Sequence, residues 1–149
     1  MATKTLHLQH SLDSELSRVY EYILDFRKFG EIHPYMVEVN ELSKTASNGI
    51  KYEVKEETVL LGFLKMKPEY KAEVIEMEPH KHIQYLSNVK GGIVLVIDFM
   101  FTEDKNLNRV VVLENIQVKG NRFLIAYFMS ILQKAHLQLF DNLARQLKK

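Results

Sequence analysis

The sequence predicts an α+β protein: a curved antiparallel sheet of seven strands around one long C-terminal helix, with two short helices between strands one and two. Three observations carry this. Leu16, Val19, Tyr20 and Ile23 have helical spacing, whereas from Met36 to Lys119 the apolar period is two. Turn residues cut that long stretch into six segments. After Gly120 the helical period returns and lasts nearly to Lys149.

The first strand is marked by Leu6 and Leu8 alternating with His7 and Gln9. Asp13 and Ser14 offer a cap for the first helix. Phe26 and Phe29 extend the apolar side into a second short helix, which Gly30 and Pro34 break. Strands follow around Val37 and Val39, Ile50 to Val54, Tyr70 to Val74, Ile83 and Tyr85, Ile93 to Phe101, and Val110 to Val118. The breaks fall at Ser47-Asn48-Gly49, Gly62, Pro79, Gly91-Gly92 and Asp104 to Asn108, where turns are favoured. Short connections make the strands an antiparallel meander, and clean alternation gives the sheet one buried face. Only the last helix is long enough to cover that face, through a stripe of Leu124, Phe128, Leu132, Ala135, Leu139 and Leu143.

The chain has 149 residues, 46% apolar and 26% charged, which fits one globular domain spanning 1–149. Twenty basic residues balance 19 acidic ones without long runs of either sign, which argues against a nucleic-acid partner. With no cysteine, a disulfide framework, a thiolate zinc site and a cysteine nucleophile are excluded. Met1 to His10 lacks a signal peptide's continuous apolar core. The most apolar segment, Phe123–Leu132, is about half of what a bilayer span needs. The expectation is a soluble cytoplasmic protein without an integral membrane segment.

The passage Asp25-Phe26, then His33-Pro34, then Val37 and Val39 resembles the "DF…WHP…V" stretch of the START-like superfamily (SRPBCC), with Ile32 where many members carry Trp. The hairpin from Glu78-Pro79 through Ile83 and Tyr85 to Gly91-Gly92 is similar in outline. The resemblance spans the chain, rests mainly on the order of elements, and implies the helix-grip fold shared by polyketide cyclases, lipid-transfer domains and birch-type pollen allergens. It brings no catalytic motif, so function must be argued from the cavity such a fold encloses.

Strand phase assigns that interior. Ile50, Tyr52, Val54, Glu56 and Thr58 share one face, and Val110, Val112, Glu114, Ile116 and Val118 share another. Glu114, in the middle of an apolar face, must pair, hydrogen-bond or take up a proton. It is either a polar anchor or general acid/base in a pocket, or a structural carboxylate satisfied by a Tyr hydroxyl or an Arg, or one turned outward by a bulge. Asp98 would form a carboxylate pair with Glu114 only if it turned inward. Ile93, Leu95, Ile97, Phe99 and Phe101 form a wholly apolar face, which sends Asp98 outward with Val94, Val96 and Met100. With Val111 and Leu113, that leaves an outer apolar patch of the kind a homodimer contact covers.

The predicted ligand-binding set is therefore Tyr52, Glu56, Tyr70, Tyr85, Ile97, Phe99, Val112, Glu114, Leu124, Phe128 and Leu132. His33 reads as a structural loop residue, and His7, His10, His80, His82 and His136 as forming no ligand cluster, so neither a metal nor a cofactor is expected. The last helix begins apolar on nearly all sides, from Phe123 to Leu132, which predicts either cover by the two short helices or a portal or subunit contact. Three functions fit: binding or transport of a hydrophobic small molecule (a lipid, polyketide or isoprenoid-like compound); a cyclase- or hydratase-type enzyme with Glu114 or Glu56 as general acid/base; or a structural partner protein with a filled core.

Overall fold

A computed structural model describes residues 1–60, 62–89 and 91–149. In chain order the elements are β1 (Ala2–Leu12), α1 (Leu16–Leu24), α2 (Phe26–Ile32), β2 (Met36–Lys44), β3 (Gly49–Glu56), β4 (Thr58–Leu60) and β5 (Leu64–Met66). They continue with β6 (Glu69–Glu78), β7 (His82–Val89), β8 (Ile93–Asp104), β9 (Arg109–Gly120) and α3 (Arg122–Leu147). Seven strands form one antiparallel sheet in the order β1-β9-β8-β7-β6-β3-β2. The meander is thus closed by β1, which pairs with β9 along its whole length, while α1 and α2 carry the chain across to the opposite edge. This is the predicted α+β helix-grip architecture.

Period-two burial is the reason the sheet has one wet and one dry face. Ile93, Leu95, Ile97, Phe99 and Phe101 of β8 are all buried, as are Val110, Val112, Glu114, Ile116 and Val118 of β9. Against them α3 lays Ile125, Leu132, Ala135, Leu139 and Leu143, repeating at helical intervals. Fully burying a side chain such as Leu139 contributes about 1.5–3 kcal/mol. By length and composition α3 could also cross a membrane; its stripe from Ile125 to Leu143 packs on the sheet, while Phe123, Leu124 and Tyr127 are exposed. Between β7 and β8, Gly91 and Gly92 turn with φ of +94° and +76°, a region glycine enters without strain.

Several local expectations need correction. Thr58 does not continue β3; it begins a separate two-stranded hairpin, β4 with β5, that the strand pattern does not predict. A register shift between Met36 and Glu38 leaves Val37 exposed while Val39 is half-buried. The cap of α1 is Glu15, without a side-chain hydrogen bond, and not Asp13 or Ser14. Asn121 does cap α3, accepting from the Phe123 N–H at 2.9 Å.

The start of α3 differs most. Leu124 is exposed, and Ile125 carries the buried stripe in its place. At about 100° per residue, Ile125 lies only about 20° from the direction of Leu132, whereas Leu124 lies about 80° away. Phe123 is 82% exposed and Tyr127 is also exposed, so α1 and α2 do not cover this end of the helix. On the outer face of the sheet Val94, Met100 and Leu113 are exposed, as phase predicted. Asp98 also faces outward, accepting from His82 Nε2 at 2.7 Å and Gln84 Nε2 at 3.0 Å, so no carboxylate pair forms with Glu114.

Candidate functional site: an apolar cavity backed by a buried imidazole–carboxylate cluster

A cavity lies between the sheet and the first half of α3. Phe128, Ile131, Leu132, Ala135 and His136 line it from α3, and Tyr85, Ser87, Val89, Leu95 and Ile97 from β7 and β8. Phe26 and Phe29 of α2, the following segment at His33, Tyr35 and Met36, and Glu56, Pro68 and Tyr70 complete the wall. About 80 Å³ is open inside, and about 660 Å³ lies between the walls when the mouth is counted. The inner figure is several times the roughly 10–15 Å³ that one water needs, but below the roughly 300–1,000 Å³ of pockets for drug-sized ligands. A sizeable ligand therefore requires side chains such as half-buried Phe128 to move.

Of the predicted set, Glu56, Tyr70, Tyr85, Ile97, Phe128 and Leu132 line this cavity. Tyr52, Phe99, Val112, Glu114 and Leu124 do not. Tyr52 points inward as its phase requires, but it packs on the Phe26 ring at 5.4 Å in the filled part of the core. Phe99 is likewise consumed by packing on Tyr85 at 4.9 Å, and Val112 is fully buried. Leu124 is outside for the helical-phase reason given above.

Glu114 is 0% exposed, and both of its oxygens are taken by imidazoles. His10 Nε2 lies 2.9 Å from Oε1, and His136 Nδ1 is hydrogen-bonded to Oε2. The register explains the first contact: Leu8 is opposite Glu114 and His10 opposite Val112, so His10 and Glu114 are diagonal neighbours on one face. His10 is held flat on Phe140, ring centroids 3.5 Å apart. Burial pushes the Glu114 carboxyl up, but the positive charge that His136 carries when protonated and the two imidazole hydrogen bonds outweigh it, leaving it below the ordinary carboxylate range. The partners are thus imidazoles, where the sequence predicts a Tyr or an Arg and no role for either histidine. Their signal was phase: His10 alternates in step with Leu8 and Leu12, and His136 falls between Leu132 and Leu139 on the buried stripe.

A carboxylate only accepts, so His136 Nδ1 carries a proton, and in the neutral ring Nε2 is the bare lone pair. His33 has the opposite tautomer. Its Nδ1 accepts from the Tyr35 N–H at 3.1 Å, which leaves the proton on Nε2. Burial, and secondarily the His136 charge, lowers the His33 pKa to about 3, so this ring is neutral at physiological pH. The two rings stand perpendicular with centroids 6.1 Å apart. Also on the cavity wall, the Tyr70 hydroxyl donates to Glu56, whose carboxyl burial raises against the opposing effects of that bond and of protonated His136. The Tyr85 hydroxyl is spent on the Ile23 carbonyl. Among the described residues, no group of three or more His, Asp or Glu is arranged to hold a metal ion.

Structural comparison defines the class: the chain has the START-like, helix-grip fold. It superposes on Zhui aromatase/cyclase from Streptomyces with a TM-score of 0.75 and 8% identity, covering 99% of this chain and 94% of that one. A START superfamily protein from Mycobacterium smegmatis gives 0.70 and 8%, with 97% of each chain covered. Ara h 8.0201 gives 0.75 and 8%, with 98% of each covered. No family model and no curated protein matches the sequence itself.

Proposed function

We propose that this chain, acting as one soluble cytoplasmic domain, binds or transports a hydrophobic small molecule of the lipid, polyketide or isoprenoid kind in the cavity beneath α3. The observation that carries this is the wall itself: Phe26, Phe29, Leu95, Ile97, Phe128 and Leu132 surround a space that the core leaves unfilled. Such walls select by size and shape, while a few polar groups fix orientation. His33, His136 and the Glu56–Tyr70 pair supply them here, so the preferred ligand is an apolar body with one oxygen-bearing end. The START-like neighbours, one of them an aromatase/cyclase, support a hydrophobic-ligand reading. The exposed Val94, Met100 and Leu113 on the far side of the sheet suit a homodimer contact that leaves the cavity free.

Narrowing the cavity tests this reading. Phe128→Trp is expected to weaken binding of the apolar fluorophore anilinonaphthalene sulfonate about tenfold, the effect of ~1.4 kcal/mol of crowding. Outward Lys51→Ala should change it by less than about twofold, within ordinary surface effects. Equal changes in the two variants, measured by fluorescence titration, would place the binding site elsewhere.

A second reading, catalysis, is favoured by one observation: an imidazole backed by a buried carboxylate lines the cavity. The carboxylate itself does not reach the cavity, which moves the acid–base role from Glu114 to the ring in front of it.

A further inference from the structure

We propose that His136 is a catalytic base for proton transfer at carbon, acting on an apolar ketone or thioester that carries an acidic C–H beside its carbonyl. The inference rests on the cavity-binding reading and adds turnover to it. Among the described residues no buried side-chain nitrogen or oxygen lacks a partner. His136 Nε2 has no protein partner among those residues, so it is the ring atom left open to the cavity. Glu114 fixes the ring by accepting from Nδ1, and His10 fixes Glu114 by occupying its other oxygen. Glu114 and His10 are therefore positioning residues, which fix the tautomer and orientation of the ring.

His33 complements this base. Its neutral ring presents a proton on Nε2, the edge opposite the one tied to Tyr35, along the same cavity wall. In the step, the His136 Nε2 lone pair takes the proton, and the C–H electron pair becomes a carbon–carbon double bond. The carbonyl π pair moves onto oxygen, where the His33 Nε2–H stabilises the developing charge. Protonated His136 then returns the proton to the same carbon or to the far end of the delocalised system. The net result is exchange or isomerisation, and no oxidant, reductant or second substrate is consumed. Apolar walls at Phe29, Ile97 and Leu132 keep bulk water from quenching the enolate.

The test uses the full chain with β-tetralone, an apolar bicyclic ketone with acidic benzylic protons, in deuterated buffer. Proton NMR follows loss of those protons, and shifts in the protein's amide spectrum report binding. Wild type is expected to exceed the buffer rate by about 10²-fold, the lower range for a positioned general base. His136→Gln, whose amide can still donate to Glu114, should bind the ketone but return exchange to the buffer rate. His10→Asn should keep a reduced rate and displace its pH midpoint, because it loosens the carboxylate without touching substrate. That midpoint reflects every titratable group around His136: Glu114 on β9, His10 on β1, His33 after α2, Glu56 on β3, Tyr70 on β6 and Tyr85 on β7. Equal exchange by wild type and His136→Gln, with ketone bound to both, overturns the catalytic assignment and leaves the binding reading standing. No binding by wild type removes both.

Discussion

Leu139→Asp is expected to abolish cooperative folding at room temperature. Leu139 is 0% exposed on the face of α3 that meets the sheet, on a buried stripe with Leu132, Ala135, His136 and Leu143. The substitution removes a fully buried side chain and places a carboxylate where it must protonate or drag in water. Losses above about 4–5 kcal/mol are diagnostic of such changes, and domains have only about 5–15 kcal/mol in total. Leu137→Asp, two residues earlier on the exposed side, is the control and should change stability by less than about 0.5 kcal/mol. Urea unfolding followed by circular dichroism separates them, and similar midpoints for the two variants would contradict the helix–sheet packing described above.

Glu114→Gln carries the second large effect, about 2–4 kcal/mol lost at neutral pH. The carboxylate accepts from two imidazole nitrogens, whereas an amide offers one accepting oxygen and one donating nitrogen. One of His10 and His136 must then change tautomer or lose its partner in a dry site. The pH dependence has a defined sign. Because the folded-state pKa lies below the ordinary 4.5, the pair's contribution is complete above that value and is lost as pH falls through the folded pKa. The advantage of wild type over Glu114→Gln should therefore be flat near neutrality and shrink only in acid below about pH 4.5.

His33 governs a different window. Folded His33 stays neutral down to about pH 3, while the unfolded chain protonates it below 6.5. Stability should thus fall as pH drops from 6.5, by up to about 1.4 kcal/mol per unit, and His33→Gln should flatten that slope. Denaturant midpoints measured from pH 3 to 8 resolve the two contributions. A slope unchanged in His33→Gln would mean the ring is solvated and not buried in the cavity wall.

Much of this architecture is legible in the sequence because strands and helices bury one side at fixed periods. The alternation through β8 and β9 determined both the buried face and the outward turn of Asp98. What periodicity cannot see is how an inward-facing residue is used. Tyr52 and Tyr70 share an inward phase, yet Tyr52 lies against Phe26 in filled core and Tyr70 lines the cavity, because α2 covers only part of the sheet. The buried histidine–carboxylate cluster is illegible in the sequence for a related reason. His10 and His136 hold positions in apolar stripes, but a pattern of apolar residues treats histidine as a gap, and the three partners are brought together only when β1 closes on β9 under α3. The β4–β5 hairpin was missed because three-residue strands are too short to display a period.

Native mass spectrometry of the protein as purified tests the central claim, an apolar-ligand cavity beneath α3, most directly. The account predicts a population carrying an additional small-molecule mass that organic solvent extracts, and that Phe128→Trp carries in smaller proportion. A bare polypeptide mass, together with no uptake of anilinonaphthalene sulfonate by wild type, would contradict it and return the chain to a partner protein with a filled core.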